Sequence, residues 1–168
     1  MTQSISSDCY TRPMNQPMEF HPVDPGFASR IQESFDRQGL MQHLGAQLFA
    51  VKPGRIEIRA WYRAQLTQQH GYFHAGVSGA IADSACGYAA YTLMPADFSV
   101  LTVEYKINLL APAEGEELIA RARVIRSGRT LKICMAEVYA RKDQAETQCA
   151  TMLATVMGIP GKSDHPAK

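Results

Sequence analysis

The sequence predicts an α+β domain in which an antiparallel β-sheet of about five strands packs on its concave side against a single helix. The first observation is a series of runs in which apolar and polar residues alternate, as they do in strands with one wet face. The second is the stretch from Gly76 to Tyr91, where Gly, Ala and Ser dominate. Small side chains let neighbouring backbones come close, so this stretch is predicted to be a helix packed tightly against the sheet. With 168 residues, 46% of them hydrophobic, the chain has room for one such domain and little more.

The first part of the chain is predicted to contain a tail, a helix and a hairpin. Residues 1–26 are polar and proline-punctuated, which predicts a tail that is loose or laid across the surface. Over residues 27–42 the apolar residues recur at the spacing of an amphipathic helix. Runs at 45–51 and 55–61 flank the turn signal Pro53-Gly54, and the second run alternates cleanly as a strand with one wet face.

The second part is predicted to consist of the small-residue helix followed by strands. Met94 to Asp97, with Pro95, ends the helix. The predicted domain extends over residues 27–160, and residues 161–168 form a second tail. The strand-like stretches that follow the helix are 100–110, the long hairpin 117–127 and 129–142 around Ser127-Gly128, and 147–157.

Composition disfavours several classes of protein. Seventeen basic and sixteen acidic residues leave a net charge of +1, so neither a nucleic acid nor an anionic membrane surface is an expected partner. No basic segment is followed by an apolar signal, and no stretch approaches the roughly 18 apolar residues of a membrane span. The cysteines, Cys9, Cys86, Cys134 and Cys149, are scattered without a CxxC pair. We therefore expect a soluble cytoplasmic protein with reduced thiols and with neither a metal nor a cofactor.

A motif before and inside the small-residue helix resembles a known family. The segment from Gln68 to Ala85 reads QQHGYFHAGVSGAIADSA. It resembles the signature of hotdog-fold thioesterases of the PaaI-like group, named for phenylacetic acid degradation, in which an Asn or Gln precedes a His-Gly-Gly and an Asp or Glu follows within the helix. Here Gln68 stands six positions before His74 and Asp83 nine after it, while Ala75 replaces the first glycine of the motif.

The resemblance covers about residues 45–158, since Thr102 to Pro112, Gly115 and Ser127-Gly128-Arg129 are also similar to the family's strand and hairpin signals. It implies a hotdog fold, in which the sheet wraps around a long central helix. It also implies an acyl-CoA thioesterase that forms a homodimer, commonly paired into a homotetramer. The site would lie between subunits, with Gln68 and Ala75 from one chain and Asp83 and Thr102 from its neighbour.

Thioester hydrolysis needs an activated water or nucleophile and donors for a developing oxyanion. Asp83 is the candidate for activation, as general base or as a nucleophile that forms a mixed anhydride. A lone mid-helix aspartate ordinarily faces solvent, but among Gly, Ala and Ser a solvated face is hard to find, and an unpaired buried carboxylate is costly. The helix start, with the N–H groups of Ala75 and Gly76, offers unpaired donors and a positive dipole end.

The remaining candidate residues have supporting roles in the family. Gln68 would orient the thioester through its amide, and His74 would fix the loop at the helix start rather than act as a base. Thr102 matches a position where related enzymes carry Ser or Thr near the attacking water, although β-propensity alone also explains a threonine there. Ser127, Gly128 and Arg129, with Arg126 beside them, are the candidate contact for the phosphates of coenzyme A, because arginine geometry suits phosphate; a solvated turn is the competing interpretation.

Two other functions stay open at this point. One is a hotdog hydratase or dehydratase acting on enoyl or 3-hydroxyacyl thioesters, since His74 and Asp83 superficially resemble a dehydratase pair. The other is a protein that binds acyl-CoA without turning it over. The acyl group itself is open.

Overall fold

A computed structural model describes residues 19–161 of the chain. Residues 1–18 and 162–168, which make up most of the two predicted tails, lie outside the described residues. The elements in chain order are α1 (Phe27–Asp36), α2 (Gly39–Leu44), β1 (Gln47–Lys52), β2 (Arg55–Trp61), a 3₁₀ turn (Ala64–Leu66), α3 (Ala75–Tyr91), β3 (Phe98–Leu109), β4 (Glu117–Ser127), β5 (Leu131–Lys142) and β6 (Ala145–Pro160). The six strands form one antiparallel sheet in the order β1-β2-β4-β5-β6-β3, one strand more than the five or so that the sequence predicts.

The small-residue helix α3 lies against the sheet as the sequence predicts, and most of its residues are buried. The strands beneath it present alanines to the helix, because Ala120 on β4, Ala136 on β5 and Ala150 on β6 are completely buried. Small side chains on both surfaces allow a close approach of helix and sheet, and dense packing of this kind is typical of protein interiors. The predicted α+β class and the single antiparallel sheet are therefore confirmed.

The predicted helix over residues 27–42 is two helices, α1 and α2. The break lies at Gln38, whose backbone is extended (φ −75°, ψ 102°) and which precedes the weak helix former Gly39. The Gln38 side chain donates to the Tyr88 hydroxyl (2.9 Å) and accepts from the Ser84 hydroxyl (3.2 Å). These tertiary hydrogen bonds fasten the break to α3, which helix periodicity alone does not reveal.

Strand β3 is one of the two edges of the sheet, and its alternation does not place all its apolar residues in the core. A bulge between Thr102 and Glu104 shifts the register against β6, so the helix-facing residues are even-numbered before it and odd-numbered after it. Thr102 consequently faces α3. The apolar side chains that remain between 51% and 59% exposed on β3 are Leu101, Val103, Tyr105 and Leu109. A long apolar edge strand is a template for pairing with another chain.

The outward face of the sheet is charged. Glu117, which is buried, lies 2.9 Å from Arg141 and 3.5 Å from Arg59, so two guanidinium groups compensate one carboxylate. Arg121 makes a two-point contact with Glu146 at 2.6 and 2.9 Å. These opposite charges on neighbouring strands explain the polar positions in the predicted patterns of β2, β4 and β5.

Candidate active site

Asp83 lies in the middle of α3 and faces the edge strand β3. The Thr102 hydroxyl donates a hydrogen bond of 2.8 Å to Asp83 Oδ1, and both residues are half-buried. Burial raises the pKa of the Asp83 carboxyl, and the bond from Thr102 opposes that shift. Within residues 19–161 no other side chain donates to Asp83. Its second oxygen is therefore free to accept a proton from water or to attack an electrophile.

The start of α3 is held by His74. His74 is the N-cap residue, and its Nδ1 accepts a hydrogen bond of 2.9 Å from the Gly76 N–H. A Cβ at Gly76 would lie 2.9 Å from that same Nδ1, so glycine leaves room for the imidazole ring. The His74 backbone also donates to the Leu66 carbonyl (2.8 Å) and accepts from the Val77 N–H (2.9 Å). These bonds give His74 a structural part in the loop, as the family resemblance implies.

The two amides expected to bind an oxyanion are not equivalent. The Gly76 N–H is already used by His74, so it is not a free donor in this arrangement. The Ala75 N–H has no acceptor in the part of the chain that the structure describes, and Ala75 is exposed. Ala75, rather than Gly76, is therefore the amide at the positive end of the helix that can reach a ligand.

Gln68 lies in the tight turn that precedes this helix start. Its backbone N–H donates to the Tyr72 carbonyl (2.9 Å), its carbonyl accepts from Gly71 (3.0 Å), and its Oε1 accepts from the His70 N–H. With Oε1 engaged, the Gln68 amide group is left with its two Nε2 hydrogens to donate. Gln68 thus lies in the turn that leads, through the pairing of Thr67 with Phe73, to His74 and the start of α3.

The structure separates this group from Asp83 and Thr102. Ala75 and Asp83 are eight residues apart on one helix, which is a rise of about 12 Å at about 1.5 Å per residue. A side chain that tilts toward the helix N-terminus recovers only a few of those ångströms. The carbonyl carbon and oxygen of one thioester need the base and the donor within about 3–3.5 Å each. Within one chain, Ala75 and Asp83 are therefore too far apart to act on the same thioester carbonyl.

The hairpin between β4 and β5 is exposed at Ser127, Gly128 and Arg129. Ser127 lies in one cross-strand row with Lys132, Val156 and Thr102, so the hairpin and the Asp83 region occupy the same end of the sheet. Three strand spacings separate Ser127 from Thr102, about 14 Å.

Lys132 was not among the residues singled out from the sequence. It is buried, its Nζ lies 3.5 Å from the Gly128 carbonyl, and burial lowers the pKa of its ammonium group. The signal was present in the sequence, because Lys132 occupies an inward position in the alternation of β5, in phase with the buried Cys134 and Ala136. Lysine is rarely buried, so a lysine in phase with core residues is as unusual as an aspartate among alanines.

The described residues contain neither a cluster of metal ligands nor a membrane-spanning helix. Between residues 19 and 161, no group of three or more His, Cys, Asp or Glu side chains is placed to hold a metal ion. In the same range, no helix has both the length and the apolar character needed to cross a lipid bilayer.

Known proteins are similar to this chain in sequence and in fold. The model of the thioesterase superfamily matches residues 70–147, which include His74, Asp83 and Thr102. A protein of Halobacterium salinarum that is named as an esterase is 30% identical over 126 residues, which are 72% of this chain and 83% of that relative. The crystal structure of a thioesterase family protein from Silicibacter pomeroyi has 48% identity and a TM-score of 0.80, over 81% of this chain and 100% of that chain.

A more distant relative shares the fold. The structure of the E. coli PaaI protein, from the phenylacetic acid degradation operon, superposes with a TM-score of 0.72 at 19% identity, over 80% of this chain and 94% of that chain. At that identity the likeness shows the architecture. The six-stranded antiparallel sheet around α3 is a hotdog fold of the PaaI-like type, as the motif around His74 and Asp83 predicts.

Proposed function

The chain belongs to the thioesterase superfamily and is a thioester hydrolase, and from this premise we propose that it hydrolyses acyl-CoA thioesters to a carboxylic acid and free CoA. The observation that carries the proposal is the half-buried Asp83 carboxylate, held by Thr102 and with one oxygen unengaged by the described side chains. A carboxyl whose pKa is raised by burial is a stronger base than a solvated one, and this suits proton transfer near neutral pH.

Two routes are compatible with this carboxylate. As a general base, Asp83 takes a proton from water while the water oxygen attacks the thioester carbon. As a nucleophile, its oxygen attacks that carbon to form a mixed anhydride, which water then hydrolyses. In both routes the C–S bond breaks, the CoA thiolate leaves and takes up a proton, and the free acid remains.

We assign the oxyanion contact to the Ala75 N–H at the start of α3. The amide is unpaired in the described chain and lies at the positive end of a long helix. His74 fixes this turn through Gly76. In the proposal Gln68, whose Oε1 accepts from the His70 N–H, directs its two amide hydrogens to the same thioester. Thr102 orients Asp83 and shares in binding the attacking water.

The separation of about 12 Å between Ala75 and Asp83 on one helix supports a site built from two copies of the chain. In this proposal Gln68 and Ala75 of one protomer face Asp83 and Thr102 of its partner, within a homodimer or a homotetramer of such dimers. The exposed apolar residues of edge strand β3, such as Leu101 and Leu109, supply a surface for that association. The unpaired, buried Cys86, Cys134 and Cys149 support placement in a reducing compartment such as the cytoplasm.

The decisive experiment measures thiol release with a free-thiol dye across a panel of aromatic, short, medium and branched acyl-CoAs. We expect turnover with a free acid as the second product, and the ranking of kcat/KM identifies the acyl class. An enoyl-CoA in the same panel tests the alternative chemistry, since hydration of the double bond without release of thiol would indicate a hydratase. Binding of every acyl-CoA without turnover would indicate a non-catalytic acyl-CoA-binding protein.

The exposed hairpin Ser127-Gly128-Arg129 is proposed as a contact for the CoA phosphates. It lies at the same end of the sheet as Thr102, and the buried Lys132 supports it through the Gly128 carbonyl. Arg129→Gln should raise KM for acyl-CoA and leave kcat nearly unchanged, because the contact is made equally in the ground state and the transition state. The same substrates with a truncated pantetheine thiol should not distinguish the variant from wild type.

A further inference from the structure

Three basic side chains stand side by side on the outward face of the sheet. Lys52 on β1 lies directly opposite Arg55 on β2, and Arg55 lies directly opposite Arg123 on β4. Directly opposed residues in antiparallel strands have Cβ atoms about 4.5–5.5 Å apart, and like charges in that position repel. We call these three residues the basic row.

The acidic side chains near the basic row already form ion pairs. Glu57 accepts from Arg59 at 2.7 Å and from Arg121 at 3.0 Å. Glu137 lies 3.7 Å from Arg123, and among residues 19–161 no other member of the row has a carboxylate within 4 Å. In the described part of the chain neither Lys52 nor Arg55 has a carboxylate partner. Two cations of the row are therefore uncompensated.

A groove of about 270 Å³ opens between the basic row and the neighbouring cross-strand row, which contains Ala50, Glu57 and Arg121. Ala50 lies in this groove, directly opposite Glu57, and its small side chain leaves the space unfilled. The walls contain Lys52, Arg55, Arg121 and Arg123 against Glu57 and Glu137, so positive charge predominates. Sites for whole drug-sized ligands are usually about 300–1,000 Å³, so this groove suits one small charged group.

We propose that this groove binds the phosphate group of a small organic phosphate or of pyrophosphate. A phosphate monoester carries about −1.5 to −2 charges at neutral pH, which offsets a row of adjacent cations better than the single charge of a carboxylate. The guanidinium groups of Arg55 and Arg123 have the planar fork that matches phosphate oxygens. The sheet separates this groove from α3 and Asp83, since Arg55 and Glu57 alternate with the core residues Ile56 and Ile58. The site is thus distinct from the hydrolytic one.

Calorimetric titration of the full chain at low ionic strength tests the proposal, with pyrophosphate and adenosine 3′,5′-bisphosphate as probes and adenosine as the uncharged comparison. Lys52→Gln and Arg55→Gln should each weaken phosphate binding about three- to tenfold, the loss expected for one partly exposed charged contact. Lys142→Gln is the matched control, because Lys142 is an exposed lysine near the opposite end of the same sheet. Its binding should equal that of wild type.

The two probes distinguish the source of the phosphate. Tighter, groove-dependent binding of the bisphosphate points to a nucleotide such as the nucleotide end of CoA, and equal binding points to free inorganic phosphates. Failure of both probes to bind, or equal affinities in wild type, Lys52→Gln and Arg55→Gln, would overturn the proposal. A thiol-release assay is not part of this readout, so the result is independent of the hydrolytic function.

Thermal unfolding without ligand supplies a second measurement. Because Arg55 lies between two cations, Arg55→Gln should leave Tm unchanged or raise it, while pyrophosphate should raise the Tm of wild type more than that of the variant. A lower Tm in ligand-free Arg55→Gln would show that Arg55 is held by stabilising contacts, against the premise of an uncompensated row.

Discussion

Replacing Asp83 by Asn should remove activity and leave the fold as stable as before, or more so. Asn is nearly isosteric and keeps a carbonyl oxygen that can accept the 2.8 Å hydrogen bond from Thr102. It can neither take a proton from water nor attack as a carboxylate. General acid–base catalysis is worth about 10²–10⁴ in rate, so kcat should fall by that factor with little change in KM.

The expected effect on stability follows from the pKa of Asp83. Burial raises that pKa in the folded protein, so folding favours the protonated form, and the ionised carboxylate lowers the stability above that pKa. Asp83→Asn removes this cost at neutral pH, and Tm should be unchanged or higher. As the pH falls from above the raised pKa to below the ordinary pKa of an aspartate, Asp83 becomes protonated in both the folded and the unfolded protein, and the difference in Tm should shrink and then disappear.

The assay pairs thiol-release kinetics with thermal unfolding at neutral and acidic pH. Asp97→Asn is the matched control, because it makes the same chemical change at an exposed position. A kcat within about tenfold of wild type would refute a catalytic carboxylate, given the contribution expected of one. A large fall in Tm together with the loss of activity would instead make Asp83 a structural residue.

Four further predictions concern the candidate site and the charged outward face of the sheet. Thr102→Val removes a hydrogen bond that lowers the pKa of Asp83, so the acidic limb of the kcat/KM profile should move to higher pH. Thr102→Ser keeps a hydroxyl and should leave the limb where it is in wild type. If the limb does not move in Thr102→Val, the group that titrates in the profile is not Asp83. Ala75→Pro removes the candidate oxyanion N–H at the first helical position, where proline is tolerated, and should cost about 10²–10³ in kcat, whereas Ala75→Ser should stay active. Co-expressed Ala75→Pro and Asp83→Asn chains should regain activity in mixed dimers, and no recovery in isolated mixed dimers would contradict a shared site. Glu117→Gln leaves two arginines without their buried carboxylate and should cost about 1–3 kcal/mol in denaturant unfolding, and an unchanged midpoint would show that the pair adds no net stability.

Much of the secondary structure could be read directly from the chain. The bounds predicted for β2 and β4 coincide with those observed, and α3 begins within one residue of its predicted start. These elements carry their signals locally, in clean alternation for the strands and in small residues for the helix. The division between α1 and α2 was missed because it depends on Gln38 bonding to Tyr88 and Ser84, which are remote in sequence.

The sequence motif supplied the candidate residues of the site, and the structure supplied the hydrogen bonds among them. The motif identified Asp83, His74 and Gln68, and the structure adds that Thr102 bonds to Asp83 and that His74 uses the Gly76 N–H. The hydrogen bond from the Gly76 N–H to His74 leaves the Ala75 N–H as the available amide. That hydrogen bond depends on the His74 rotamer and on the conformation of the turn before α3, which residue types do not specify.

The α+β class, the family and the one carboxylate in a small-residue helix follow from the chain alone, because each is encoded in the spacing and type of neighbouring residues. Which side chains face each other across strands is known only from the folded protein. Cross-strand contacts depend on register, and a single bulge in β3 at Thr102 changes which apolar side chains are left for a partner. Register also brings Lys52, Arg55 and Arg123 together, although they come from three separate strands.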